Sequence, residues 1–226
     1  MTKEEWLVTS DVATMLQSLD PHKYDRKLRL FACACCYRIW KFLDSDVSRE
    51  LLDVSERFAD GKVAYEYLEK TVVRLNTSEG EHHRAIQAVR TGAAAFQASY
   101  KSSAYSIQLC AKYAADAVGL AADIGLNQQF KRWSAQHTEE QCQRSILTDI
   151  IPFPEYNVDL DSSWFSSTAV AIAQGIYDDK SFDRLPILAD ALQDAGCEDE
   201  NILNHLRSDG SHVRGCWALD LVLGKE

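Results

Sequence analysis

Apolar side chains recur along this chain three or four positions apart, the spacing of one face of a helix, and no run of alternating β-branched residues is long enough to predict a strand. The pattern predicts an all-α protein. Thr2 with Glu5 three positions on forms a capping-box signature for a short helix from Lys3, and Asp11 suits the cap of a second run through Met15 and Leu19, broken at Pro21. A central helix is expected over residues 25–43. Asp44 to Asp46 then offers a stop and a fresh cap. Leu51, Leu52, Val54 and Phe58 continue at helical spacing to Gly61, and residues 63–75 make a further helix with Val63, Tyr67 and Val73 among its apolar positions.

Within residues 25–43, read as DRKLRLFACACCYRIWKFL, a rotation of 100° per residue puts Leu28, Phe31, Ala32, Cys35, Ile39, Phe42 and Leu43 on one broad arc. Cys36 lies at its edge, and Cys33 and Trp40 on the shoulder. Arg29, Arg38 and Lys41 occupy the far side, where long stems cover apolar surface and charged heads reach water.

After a loop at residues 76–80, residues 81–124 contain no proline and abundant alanine, which predicts one very long helix or two joined near Ser102. A helix over 128–151 follows, carrying Phe130, Trp133, Ile146, Leu147 and Ile150, with Thr138 to Gln141 as an internal restart cap. Pro152 and Pro154 end it. Beyond residues 152–166 the texture changes to short helices at 167–177, 183–195, 199–207 and 212–223, with Gly196 and Gly210 placed as C-terminal caps. The expected organisation is an N-terminal bundle of residues 1–151 with long alanine-rich helices, a linker of 152–166, and a compact unit of residues 167–226 packed on the bundle.

Charge sharpens that division. Of the net charge of −10, residues 155–226 carry −9, from 14 acidic and 5 basic side chains. Direct nucleic-acid binding, which needs clustered Lys and Arg, is not expected, whereas a basic protein partner is compatible. No run of eighteen apolar residues predicts a membrane span, and MTKEEWL puts acidic residues where a signal peptide has basic ones. Seven cysteines, an odd number with three crowded at Cys33, Cys35 and Cys36, argue against a disulfide framework and for reduced thiols in a cytoplasmic protein.

The chain has no P-loop, nucleotide-binding glycine fingerprint, nucleophile elbow or HExxH motif. Its one ExxH, Glu79 and His82, lacks the second pair and the two further glutamates that a di-iron bundle uses. Cys33 and Cys36 lie three apart, and His212 and Cys216 four apart, so two helix faces together offer zinc a tetrahedral S₃N set. Packing of small apolar side chains is the competing explanation. Cys216 beside His212 and Arg214 is the least implausible nucleophile, although Trp217, Leu219 and Leu221 place it on a buried helix. His212, Arg214 and Trp217 also combine an aromatic ring and a guanidinium near a helix start, the residue types of interaction hot spots.

Through DRKLRLFACACCYRIW, the opening EEWL and the closing FDRLPILADALQDAGC and HVRGCWALDLVLGK, the chain resembles a paralogous family of uncharacterised planctomycete proteins. The resemblance covers both ends and the alanine-rich middle. It implies a bacterial cytoplasmic setting and brings no activity. Members of that family tend to carry a cysteine where this chain has Leu206, a departure that counts against a metal role for the C-terminal Cys and His residues.

These readings converge on a non-enzymatic interaction or regulatory protein whose acidic C-terminal unit meets a protein partner through His212, Arg214 and Trp217. They assign it no catalytic residue, cofactor or metal. The alternative is a zinc-binding thiol enzyme or sensor using Cys33, Cys36, His212 and Cys216.

Overall fold

The computed structural model describes residues 1–43, 46–77, 100–121, 128–153 and 161–225. Among them are eleven α-helices and no strand, so the chain is all-α. No helix among the described residues is long and apolar enough to cross a membrane. Packing divides the chain into two units, Met1–Arg144 and Ser145–Glu226.

The first unit holds α1 (Lys3–Val8), α2 (Val12–Gln17), α3 (Asp25–Arg38), α4 (Asp46–Ala59), α5 (Tyr65–Thr77), α6 (Tyr100–Ala121) and most of α7 (Gln128–Ile150). Thr2 and Glu5 close the expected capping box, and the Asp11 side chain accepts the Ala13 N–H. Helix α3 packs against both α4 and α6. It buries Leu28, Leu30, Phe31, Ala32, Cys33, Ala34, Cys35 and Cys36, more than half a turn's arc, as a helix enclosed on several sides must. It stops at Arg38, five residues before the expected end, and tightens into a 3₁₀ turn over Trp40–Phe42.

Small side chains set the close approach of α3 and α6. Cys36 Sγ lies 3.5 Å from Cys110 Sγ, whose thiol faces the Ala32 carbonyl at 3.7 Å, and Ala114 and Ala115 are buried on the same helix as Cys110. On α5 the buried face is Leu68, Thr71, Val72 and Leu75, while the apolar Tyr67 and Val73 are exposed. In the first turns of α7, Phe130 and Trp133 are 68% and 60% exposed. Thr138 does not restart that helix. Its hydroxyl donates to the Ser134 carbonyl one turn back and the helix runs on unbroken.

The polar side of α3 is tied down. Arg29 pairs with Asp25 one turn earlier, Arg26 with Asp60, and Arg38 makes two hydrogen bonds, of 2.7 and 2.9 Å, to Glu139. The carboxylate of Glu139 is buried, with Arg38 31% exposed. Glu139→Ala strands that guanidinium, so the expected loss is about 2–3 kcal/mol, below the figure for a fully buried pair because water reaches the arginine. Urea unfolding of the intact chain measures it, and Glu139→Gln should cost less.

The second unit starts with the last turns of α7 and continues through α8 (Ser167–Asp179), α9 (Leu185–Asp194), α10 (Glu200–Leu206) and α11 (Trp217–Leu223). Helix α8 contacts α9 and α11, and α10 contacts the same two, around a core that includes Tyr177, Leu188, Leu192, Ile202, Leu206, Trp217 and Leu219. Ser166 and Asp199 cap α8 and α10, and Pro186 lies in the first turn of α9. The last helix starts later than expected. Residues 208–216 form a loop, and Gly215, at φ +95°, turns the backbone into α11; a conformation that only glycine adopts freely interrupts the expected 212–223 helix.

The Asp44 cap, the residue 81–99 part of the long helix, the Glu79 and His82 pair and residues 154–160 of the linker lie outside the described residues.

Candidate metal centre

Four side chains from four stretches of the second unit converge on one point. Asp149 extends from the last turn of α7, His205 from the last turn of α10, His212 from the loop that follows, and Cys216 from the N-cap of α11. Their facing oxygen, nitrogen and sulfur atoms all lie within 4.8 Å of one another. Asp149 Oδ1 is 2.7 Å from His212 Nδ1 and 3.1 Å from His205 Nε2. Cys216 Sγ is 3.3 Å from His205 Nε2 and 3.9 Å from His212 Nδ1. A tetrahedral zinc ion, with bonds of about 2.0–2.3 Å, sets its ligand atoms roughly 3.3–3.7 Å apart. The observed spacings straddle that range.

The outward atoms are held as well. Asp149 Oδ2 accepts the Val213 N–H at 3.0 Å, leaving Oδ1 to face the centre. His212 Nε2 sits 3.2 Å from the Ser208 carbonyl, so with Nδ1 facing the centre the Nε2–H has an acceptor. Backbone or carboxylate acceptors behind a ligating histidine fix its tautomer and aim in metal sites. The His205 ring meets the His212 ring edge-on at 5.0 Å and tilts over Trp217 at 4.9 Å, which limits its rotation.

Burial and charge act together on these groups. Burial by itself would raise the Asp149 carboxyl, but hydrogen bonds from His205 and His212 outweigh it and hold the group below its usual value of 3.8. For His212, burial favours the neutral ring, and the bond to Asp149, its charge and the Ser208 carbonyl reverse this, raising it above 6.5. Burial pushes the Cys216 thiol well above 9.0, helped by the Asp149 charge and opposed by the Leu219 and Ala218 N–H groups.

Such a thiol is a poor nucleophile, and the geometry speaks against a Cys–His–Asp relay too. A relay needs the carboxylate on the ring nitrogen remote from the sulfur. Here His205 Nε2 faces both Asp149 and Cys216, and His212 Nδ1 does the same. Lone pairs arranged radially about one point suit a cation, whose charge would also deprotonate the thiol.

No protein-family model matches the chain, and neither a curated protein nor a solved structure matches it.

Of the residues singled out from the sequence, His212 and Cys216 belong to this centre, though not on one helix. Cys33 and Cys36 do not join it: both are buried in the first unit, and among the described residues neither is part of a convergent metal-ligand group. The places of the other two ligands are taken by Asp149 and His205. Leu206 is a buried core residue, and the four-ligand set is complete without a cysteine there. Trp217 is only 7% exposed and lies in the core, while the Arg214 guanidinium donates to the Tyr177 carbonyl and stacks on that ring at 4.7 Å. Trp217 is thus largely covered, while Arg214 stays partly exposed and makes these contacts within the unit.

Without metal, the two shifts bracket a stability window. His212, raised in the fold, contributes stability that is full below pH 6.5 and is lost as pH climbs through its folded pKa. Asp149, lowered, contributes stability that is full above 3.8 and is lost as pH falls through its folded pKa. Chelator-treated protein is therefore expected to show its highest urea midpoint between those two values, with a decline on the alkaline side that added zinc reverses.

Proposed function

We propose that the second unit is a metal-binding module that takes a zinc-class divalent ion through Asp149, His205, His212 and Cys216, and that the ion's role is structural. The observation that carries this reading is the inward convergence of four N, O and S atoms, with the outward atoms of Asp149 and His212 held by the Val213 N–H and the Ser208 carbonyl. Four protein ligands close a tetrahedral site and leave no position for substrate, the pattern of structural rather than catalytic zinc. One thiolate and two imidazoles favour zinc, cobalt or nickel over calcium and magnesium, which prefer all-oxygen shells. A bound ion would cross-link the end of α7, α10, the 208–216 loop and α11.

Cobalt substitution tests the donor set. Cobalt added to chelator-treated protein should produce the visible absorption of a tetrahedral ion and a thiolate charge-transfer band, with Cys216→Ser losing the latter. An octahedral spectrum, or a charge-transfer band that survives Cys216→Ser, would contradict the assignment.

A second, compatible reading keeps the protein non-enzymatic and gives the module a basic protein partner. Its support is the exposed row of Asp178, Asp179, Asp183, Asp194, Glu198 and Glu200. Neutralising residues 178–200 should weaken any complex isolated with the intact chain, and an unchanged complex would remove the support. A reducing cytoplasmic setting fits the seven free cysteines, and the planctomycete family resemblance rests on the terminal motifs.

A further inference from the structure

A cavity of about 450 Å³ opens in the first unit between the start of α2 and the facing stretches of α6 and α7, at the small end of the range for small-molecule sites. Its apolar lining comes from Val12, Leu16, Ala111 and Ala115, whose short or buried side chains leave room beside α6. Its polar lining is biased in one direction. Gln143 is 2% exposed and donates its amide to the Ala111 carbonyl at 3.0 Å, and Gln136 donates its amide to Asp116 at 2.7 Å. The Gln143 amide also reaches Glu139 at 3.5 Å, and since all these partners are acceptors each amide is oriented through its nitrogen end.

Two carboxylates, Asp11 and Glu140, reinforce that bias. The first also caps α2 through Oδ1 and accepts the Thr14 hydroxyl on Oδ2, and it contributes its charge. Lys112 is the one lysine or arginine in the lining, and it is exposed at the rim. His137 also lines the cavity, 3.8 Å from Glu140, and with its ring neutral the lining has a negative excess of a single charge, which suits one or two ammonium groups and disfavours phosphates and dicarboxylates.

We propose that this cavity binds a short aliphatic diamine, its methylenes on the alanine and leucine floor and its ammonium groups on Glu140, Asp11 and the glutamine oxygens. The site is separate from the metal centre and does not depend on it.

Calorimetry of the full chain with putrescine, and with butanediol and succinate as neutral and dianionic compounds of the same length, tests this directly. Putrescine is expected to bind saturably at one per chain while the other two do not. Glu140→Gln, an exposed position whose unliganded melting should not change, is expected to weaken putrescine about tenfold through loss of one charge-assisted hydrogen bond. Asp183→Asn, in the other unit, should leave it unchanged. Equal binding of butanediol or succinate, no saturable putrescine binding at millimolar concentration, or equal losses in the two variants would each overturn the proposal, the last by showing diffuse attraction to an acidic chain.

Discussion

Asp149→Ala is expected to abolish the proposed metal uptake and to destabilise the metal-free second unit by about 3–5 kcal/mol, the cost of breaking a buried charged network by removing one member. The carboxylate has three partners. Two imidazoles share Oδ1, and the Val213 N–H binds Oδ2. Alanine leaves that N–H without its acceptor and takes away the charge that favours the protonated His212. Asparagine keeps the shape and can still accept from Val213, so Asp149→Asn should recover part of the stability while binding metal far more weakly. Chelator-treated protein unfolded in urea gives the first number, and zinc titration of each variant gives the second. Equal stability of the alanine variant and the parent would show that the carboxylate organises nothing.

Trp217→Ala is expected to cost about 3–5 kcal/mol, the range for emptying an aromatic site in a core. The indole belongs to the cluster with Leu206, Tyr177 and Leu219 and also backs the His205 ring at 4.9 Å. Metal affinity should therefore fall along with stability, since His205 loses the surface that limits its rotation. Trp217→Phe keeps an aromatic face and should recover more than half of both effects. Were the indole instead a surface anchor, its removal would change stability by no more than about 0.5 kcal/mol. Thermal unfolding of the two variants separates these outcomes.

What could be read from the sequence was local. The Thr2 and Glu5 box, the Asp11 and Asp199 caps and Pro186 all act within a few residues, so their meaning is present in a short window. The central helix was legible too, because nearly every side chain from Leu28 to Cys36 is small or apolar. Its cysteines are packing residues, consistent with desolvation holding the Cys35 thiol well above its usual range.

The candidate site was half legible. His212 and Cys216 stood out through proximity, but their shared helix is interrupted at Gly215, whose backbone angle depends on the turn around it. Asp149 lies 63 residues before His212, and no local pattern connects them. The one signal available was its position: a carboxylate set between Leu147 and Ile150 in an apolar run has to be buried with a partner. His205, between Leu203 and Leu206, gives the same hint. The buried faces of α5 and α7 could not be read from apolar residue type alone, since Tyr67, Val73, Phe130 and Trp133 stay exposed.

Elemental analysis of the intact chain, purified without added metal, tests the central claim most directly. The account predicts about one equivalent of zinc-class metal per chain, retained in a Cys33→Ala, Cys36→Ala double variant and lost in His212→Ala, as expected when metal binding and folding of the site are linked. Less than about a tenth of an equivalent in the parent, or metal that disappears with Cys33 and Cys36 and persists without His212, would contradict it.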